Sequence, residues 1–316
     1  MRRYAILFAL VSLLLPVTAF SQARTPEAAV NLFKNALKKT GNGDLDGAIE
    51  DYTRAITLSS RFDTGKKSGN SFAESSDASI DEITVVDPFT AHAYTNRGLA
   101  RFRKGDFAGA IEDYNAALRI KPGLHIAYLN RASALKASGN PAAAIKDLDK
   151  AISLKKDFHQ AYTNRGSLHL DLGDPKAALS DLTRSIELND RVGESFHHRG
   201  FTHLAMKNFD AAIADFDRAI ELEPNRAWAY QGRGAGWMFK GEMVRALENF
   251  DRAIELNPKI AWAYLNRGLI WVYLGDEPQA EKDFAECLKL KPELKAELEA
   301  RTDLARHLRR IGQPLQ

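Results

Sequence analysis

Cysteine is almost missing: Cys287 is the single one in 316 residues, so neither an intramolecular disulfide framework nor a zinc site built from several thiolates can form. A surplus of one charge is missing too. The 44 lysines and arginines are met by 41 aspartates and glutamates, a formal net charge of +3, so no large positive field draws the chain to nucleic acid or anionic lipid. There is no Asn-x-Ser/Thr glycosylation acceptor. The leading apolar run, Tyr4 to Val17, holds about 14 residues, where a membrane-crossing helix needs about 20. No stable membrane anchor is expected. What the chain does have is 45% apolar residues, enough for a substantial buried interior without any covalent staple. At about 150 residues per domain its length suggests two domains, a prior that internal repetition can overturn.

Arg2 and Arg3 before the apolar run, with small residues at Ala19, Ser21 and Ala23, have the form of a secretory signal peptide over 1–21. No cysteine lies near that junction, so lipid attachment there is excluded. Export without disulfides or glycosylation acceptors fits a bacterial periplasm, otherwise secretion.

Beyond the leader the sequence repeats every 34 residues. Ala93-Tyr94-Thr95-Asn96-Arg97-Gly98 returns as Ala127 to Ala132, Ala161 to Gly166, Ser195 to Gly200, Ala229 to Gly234 and Ala263 to Gly268. A second apolar segment follows each, such as Ala110-Ile111, Tyr114 and Ala117-Leu118, and spacings of three and four predict amphipathic helices. Breakers such as Gly105-Asp106 and Gly139-Asn140-Pro141 separate the two segments, and Pro122, Pro224, Pro258 and Pro292 follow the second. Each repeat therefore reads as helix, turn, helix, turn. With Ala91 as position 1, the ring at position 4, Gly at 8, Ala at 20, ring at 24, Ala at 27 and Pro at 32 are Tyr94, Gly98, Ala110, Tyr114, Ala117 and Pro122.

That pattern resembles the tetratricopeptide repeat. The resemblance implies an all-α, right-handed α-solenoid of tandem helix-turn-helix repeats, with copies at 91–124, 125–158, 159–192, 193–226, 227–260 and 261–294. A degenerate first copy lies at 25–58, and a serine-rich insertion at 59–86 reads as a flexible surface loop. The segment 295–316, dense in Lys, Glu and Arg, is the capping helix and tail that a solenoid end requires.

The family places the first helix of each repeat on the concave face, with positions 2, 5, 6, 9, 12 and 13 turned into a groove. There the sequence has Asn96, Asn130, Asn164 and Asn266, an amide ladder suited to gripping an extended peptide backbone. Phe201, Trp228, Phe239, Trp262 and Tyr273 add aromatic surface where binding energy concentrates. Trp228 and Trp262 at position 2 stand out, because the repeat needs no ring there. Position 7 departs from the family's leucine and is arginine. Position 23 supplies a carboxylate, giving the expected internal pairs Arg97 with Asp113, Arg131 with Asp147, Arg165 with Asp181, Arg199 with Asp215 and Arg267 with Asp283, while Arg233 faces Asn249.

Catalytic patterns do not assemble. His198 and His203 are five apart, where two helical metal ligands need three or four. Gly232-Arg233-Gly234-Ala235-Gly236 falls inside a helix with no strand before it. Ser133-Ala134-Leu135-Lys136 has no Ser-Asp-Asn partner. Cys287 fills a small-residue slot. The expectation is a noncatalytic, cofactor-free and metal-free scaffold that binds a protein or peptide in its groove, in cell-envelope assembly. The alternative is a structural solenoid that self-associates through its convex face or ends into a homo-oligomer.

Overall fold

The computed structural model describes residues 25–64, 88–313 and 315. The leader expected at 1–21 and most of the insertion expected at 59–86 lie outside them. These residues form fifteen α-helices and no strand, in two compact units, one ending at Asn164 and one beginning at Arg165.

In the first unit, α1 (Glu27–Gly41) pairs with α2 (Leu45–Thr64), α3 (Pro88–Arg103) with α4 (Phe107–Ile120), and α5 (His125–Ala137) with α6 (Pro141–Leu154). Because α2 runs on to Thr64, the opening residues of the expected loop are helical. The unit boundary falls within α7 (His159–Asp171), which is followed by α8 (Pro175–Leu188). In the second unit, α9 (Gly193–Ala205) pairs with α10 (Phe209–Leu222), α11 (Ala227–Phe239) with α12 (Met243–Leu256), and α13 (Ala261–Leu274) with α14 (Glu277–Leu290). A 3-10 turn at Pro292–Leu294 then leads to α15 (Lys295–Arg310). This is the all-α solenoid arrangement of tandem helical repeats.

Local chemistry explains the breaks. Asp106, Asn140, Asp174 and Asp276 cap second helices by accepting the backbone N–H three residues on, at 2.9 to 3.2 Å, satisfying one of the donors that a helix start leaves open. Just before them the chain turns through positive φ at Gly105, Gly139, Gly173 and Gly275, and Gly241 does the same before Glu242. The fifth copy breaks this rule. Lys207 occupies the glycine slot at φ 62°, where a Cβ is strained.

Packing is local to each junction. The rings at position 24, Tyr114, Phe216 and Phe250, are fully buried, and glycine makes room for them. A Cβ on Gly200 would lie 2.8 Å from the Phe216 ring, and one on Gly232, in the next repeat, 2.4 Å from the same ring. Buried apolar residues accordingly fall into separate clusters, such as Phe33 with Tyr52 and Phe89, or Phe250 with Leu265 and Ile270. Each repeat buries its face only against its neighbours.

Lys207→Gly is expected to raise stability by about 1 kcal/mol, the left-handed cost of a non-glycine residue less the entropy that glycine adds to the unfolded chain. Urea unfolding at unchanged m value checks it. An unchanged or lower midpoint would show that the turn carries no strain.

Candidate functional site

The arginines of position 7 do more than pair within their own repeat. Arg97, Arg131, Arg165, Arg199 and Arg267 each place Nη2 2.6 to 2.7 Å from the carboxylate at position 23, and Arg233 donates from Nε to Asn249 at 2.7 Å. Nη1 then reaches back to position 25 of the preceding repeat. Arg97 donates to Thr53 at 3.0 Å, and Arg131 to Asn115, Arg233 to Asp217 and Arg267 to Asp251 at 2.6 Å. Arg97, Arg131, Arg199, Arg233 and Arg267 also lie 5.3 to 5.7 Å over the ring at position 4 of their own helix, where cation–π attraction adds to packing. One guanidinium thus joins three elements. The backward bond escapes pairwise sequence matching because its acceptor changes from threonine to asparagine to aspartate. Hydrogen bonding to Asp147 holds the Arg131 pKa up. At Arg267 burial pulls downward, and the bonds to Asp283 and Asp251 outweigh it.

The asparagine ladder requires a correction. Asn96, Asn130, Asn164 and Asn266 are at most 5% exposed, so they are not open rungs. Asn96 Nδ2 donates to the His92 carbonyl at 2.9 Å, and Asn266 Oδ1 accepts from Arg301 at 3.2 Å. The register gives the reason: position 6 points at the preceding second helix, as Gly232 does at Phe216. Phe201 is corrected likewise. It is 5% exposed and packs edge-on against Phe216, with ring centroids 5.1 Å apart.

Trp228, Trp262, Phe239 and Tyr273 are half-buried. α11 touches both α9 and α13, so the first helices of the second unit form a row. On it Trp228 meets the edge of His197 at 4.0 Å between ring centroids, and His197 meets Phe201 at 4.8 Å. Phe239 is partly spent on packing, stacked on Phe209 at 5.4 Å. Trp228 and Trp262 recur at one register position with ring surface to spare.

His197 is held neutral. Burial drives the His197 pKa well below its ordinary value, with His198 adding to the effect. His198 is 2% exposed, with Nε2 3.6 Å from Glu194. Among the described residues no group of three or more His, Cys, Asp or Glu side chains is placed to hold a metal ion. Cys287 is buried, and burial pushes its thiol up to about 11, which disfavours the nucleophilic thiolate.

A tetratricopeptide-repeat model matches residues 91–124 and 193–226, and a second matches 129–190. The chain belongs to the tetratricopeptide-repeat family. No curated protein sequence matches it. Among solved structures it is similar to a tetratricopeptide repeat protein from Parabacteroides merdae, with 21% identity over 88% of this chain and 99% of the other, and a TM-score of 0.64. It is also similar to a chain of the APC/C hetero-tetramer Cut9–Hcn1, with 15% identity over 81% and 55% and a TM-score of 0.62. MamA shares 30% identity over 52% of this chain and 96% of its own, with a TM-score of 0.46. The first two likenesses bear on the fold of these tetratricopeptide repeats alone.

Two outcomes are expected. Arg131→Met, which strands the 6%-exposed Asp147, should cost roughly 2–3 kcal/mol in denaturant unfolding, somewhat under the usual buried-pair loss because the guanidinium is partly solvated. Asp147→Asn should cost about 1 kcal/mol, since the amide of Asn249 already serves in that slot. The second concerns His92, 5% exposed, whose pKa is lowered to about 4 by burial and then by Lys121. A folded pKa below the unfolded value of about 6.5 means that protons favour the unfolded chain. The stability is present above pH 6.5 and is lost as pH falls toward 4, by roughly 3 kcal/mol in all. His92→Gln should flatten the stability slope between pH 6.5 and 4.5, and an unaltered slope would count against it.

Proposed function

We propose that this tetratricopeptide-repeat protein is a noncatalytic interaction scaffold that holds an extended peptide or protein segment along the row of first helices in its second unit. One observation carries the reading: Trp228 and Trp262 stand 34 residues apart at the same register position, each half-buried, where the fold needs no ring. Large aromatic side chains with a packed base and a free face are favoured anchors for a partner. The asparagines, engaged inside the protein, serve to brace neighbouring repeats. The leader-like sequence at 1–21 supports a role outside the cytoplasm, in cell-envelope assembly of a bacterial periplasm.

Trp228→Ala with Trp262→Ala is expected to weaken capture of the partner by at least about tenfold, the scale of losing one interface hot spot. Crosslinking in the native envelope, with circular dichroism to confirm that the variant folds, measures it. Retained partners together with lost self-association would instead favour a structural, self-associating solenoid.

A further inference from the structure

In the second unit each first helix is covered by the second helix of its own repeat: α10 packs on α9, α12 on α11 and α14 on α13. α15 takes the place of one more first helix. It packs on α13 and brings Arg301 within 3.2 Å of Asn266, and no second helix follows it among the described residues. Burial is one-sided as a result. α13 buries Ala261, Ala263, Leu265, Asn266, Gly268 and Ile270 around its circumference, whereas α15 buries only Leu298, Thr302 and Ala305.

Beside α15, against α14, lies a cleft of about 280 Å³ with Phe284 and Leu298 as its apolar part. Its polar lining has four carboxylates, Glu277, Glu281, Glu299 and Asp303, against the single guanidinium of Arg306. Arg306 is bound to Glu277 at 2.7 Å, lies 3.6 Å from Asp303 and feels the charge of Glu281 as well, so one guanidinium is shared among three carboxylates and the site stays negative. Thr302, also in the lining, supplies an independent sign of something missing. It is 6% exposed, yet its hydroxyl has no hydrogen-bond partner, whereas the buried helical threonines Thr95 and Thr202 close on the carbonyl four residues back, each at 2.8 Å. A buried donor left unmet is costly.

We propose that this cleft is a docking seat for one amphipathic helix of a partner protein. Its apolar face would rest on Phe284 and Leu298, and its lysine or arginine side chains would meet Glu281, Glu299 and Asp303. This is helix-in-groove recognition, with charge selecting the occupant. The chain's own second helices are poor candidates, because none from α4 to α14 carries a net positive charge, and α10, with Asp210, Asp215, Asp217 and Glu221 against Arg218, would be repelled. The occupant is therefore a cationic helix from a different protein, and the seat is separate in sequence from Trp228 and Trp262.

The probe is a fluorescein-labelled 14-residue peptide with the sequence of α10 carrying Asp210→Lys, Asp217→Lys and Glu221→Lys, titrated with the full chain at low salt and followed by fluorescence anisotropy. Saturable binding is expected, about tenfold weaker for the Glu281→Lys, Asp303→Lys chain and for the unmodified α10 peptide, and weakened by added salt. Both substituted residues are exposed, so the fold should survive, and the thermal melt confirms it. The Trp228→Ala, Trp262→Ala chain should bind the peptide as the parent does, which separates this seat from the face proposed above. Absent or non-saturable binding, equal binding by the charge-reversed chain, or loss in the tryptophan variant would each overturn the proposal. So would sedimentation showing a dimer that Glu281→Lys with Asp303→Lys dissolves, since the seat would then belong to a second copy.

Discussion

The arginine at position 7 is the constraint around which the repeats are arranged. A pair of helices of 13 and 14 residues, such as α11 and α12, presents too small an apolar face to stay folded alone, so the junctions must supply cohesion. Arg267 does this with one side chain, bound forward to Asp283 in α14 and back to Asp251 in α12 while lying over Tyr264. A leucine at this position would pack as well but could not join two second helices. The planar guanidinium can, because its donors leave in several fixed directions at once. The acids it meets are 2 to 9% exposed on their side chains at Asp113, Asp147, Asp181, Asp215 and Asp283, so leaving any of them without its arginine would strand a buried carboxylate.

This arrangement decides which surfaces remain free. With position 7 joined to its neighbours, position 6 turned toward the preceding second helix and position 8 kept to glycine or, at Ala132, alanine under the large apolar side chain of position 24, three successive residues of each first helix belong to the frame. Position 2 varies from copy to copy. His92 fills it in one copy, buried and neutral, Glu194 in another, and Trp228 and Trp262 in two more. Where a rigid frame leaves one position unconstrained, residue choice there answers to contacts outside the repeat. The near balance of charge has the same origin, because most arginines at position 7 have a carboxylate of their own.

The fold was legible because its determinants are periodic and local: alanines at 20 and 27, rings at 4 and 24, glycine or proline at the turns. The pairing of Arg131 with Asp147 was legible for the same reason, since both recur at fixed offsets. Exposure was not. Asn96 and Trp228 both belong to the set of groove positions, and only the packing of the adjacent second helix makes one buried and the other half-open. Periodicity gives the direction of a side chain around its own helix. It does not give how closely the next helix approaches, which depends on the sizes of residues a repeat away, as Gly232 shows against Phe216. Lys207 was hidden differently, because a lysine between two helices looks like an ordinary polar turn until its φ is known.

The two ends show what the interior rule requires. In the first copy Asn35 stands where the arginine would be, yet Asp51 is still present and 6% exposed. Lys39, one turn further along α1, reaches it at 2.7 Å and approaches the Gly47 carbonyl at 3.4 Å. A lysine serves there as a point charge in place of a fork, and among the described residues no second helix precedes α1 to receive a backward bond. At the other end Arg301 turns to Asn266, in the adjacent first helix, and to Glu297 on its own helix, and among the described residues no second helix follows α15. The arginine fork is thus kept where a repeat has neighbours on both sides and is given up or redirected where it has one. That dependence marks it as a coupling between repeats, more than a stabiliser of any single helical pair.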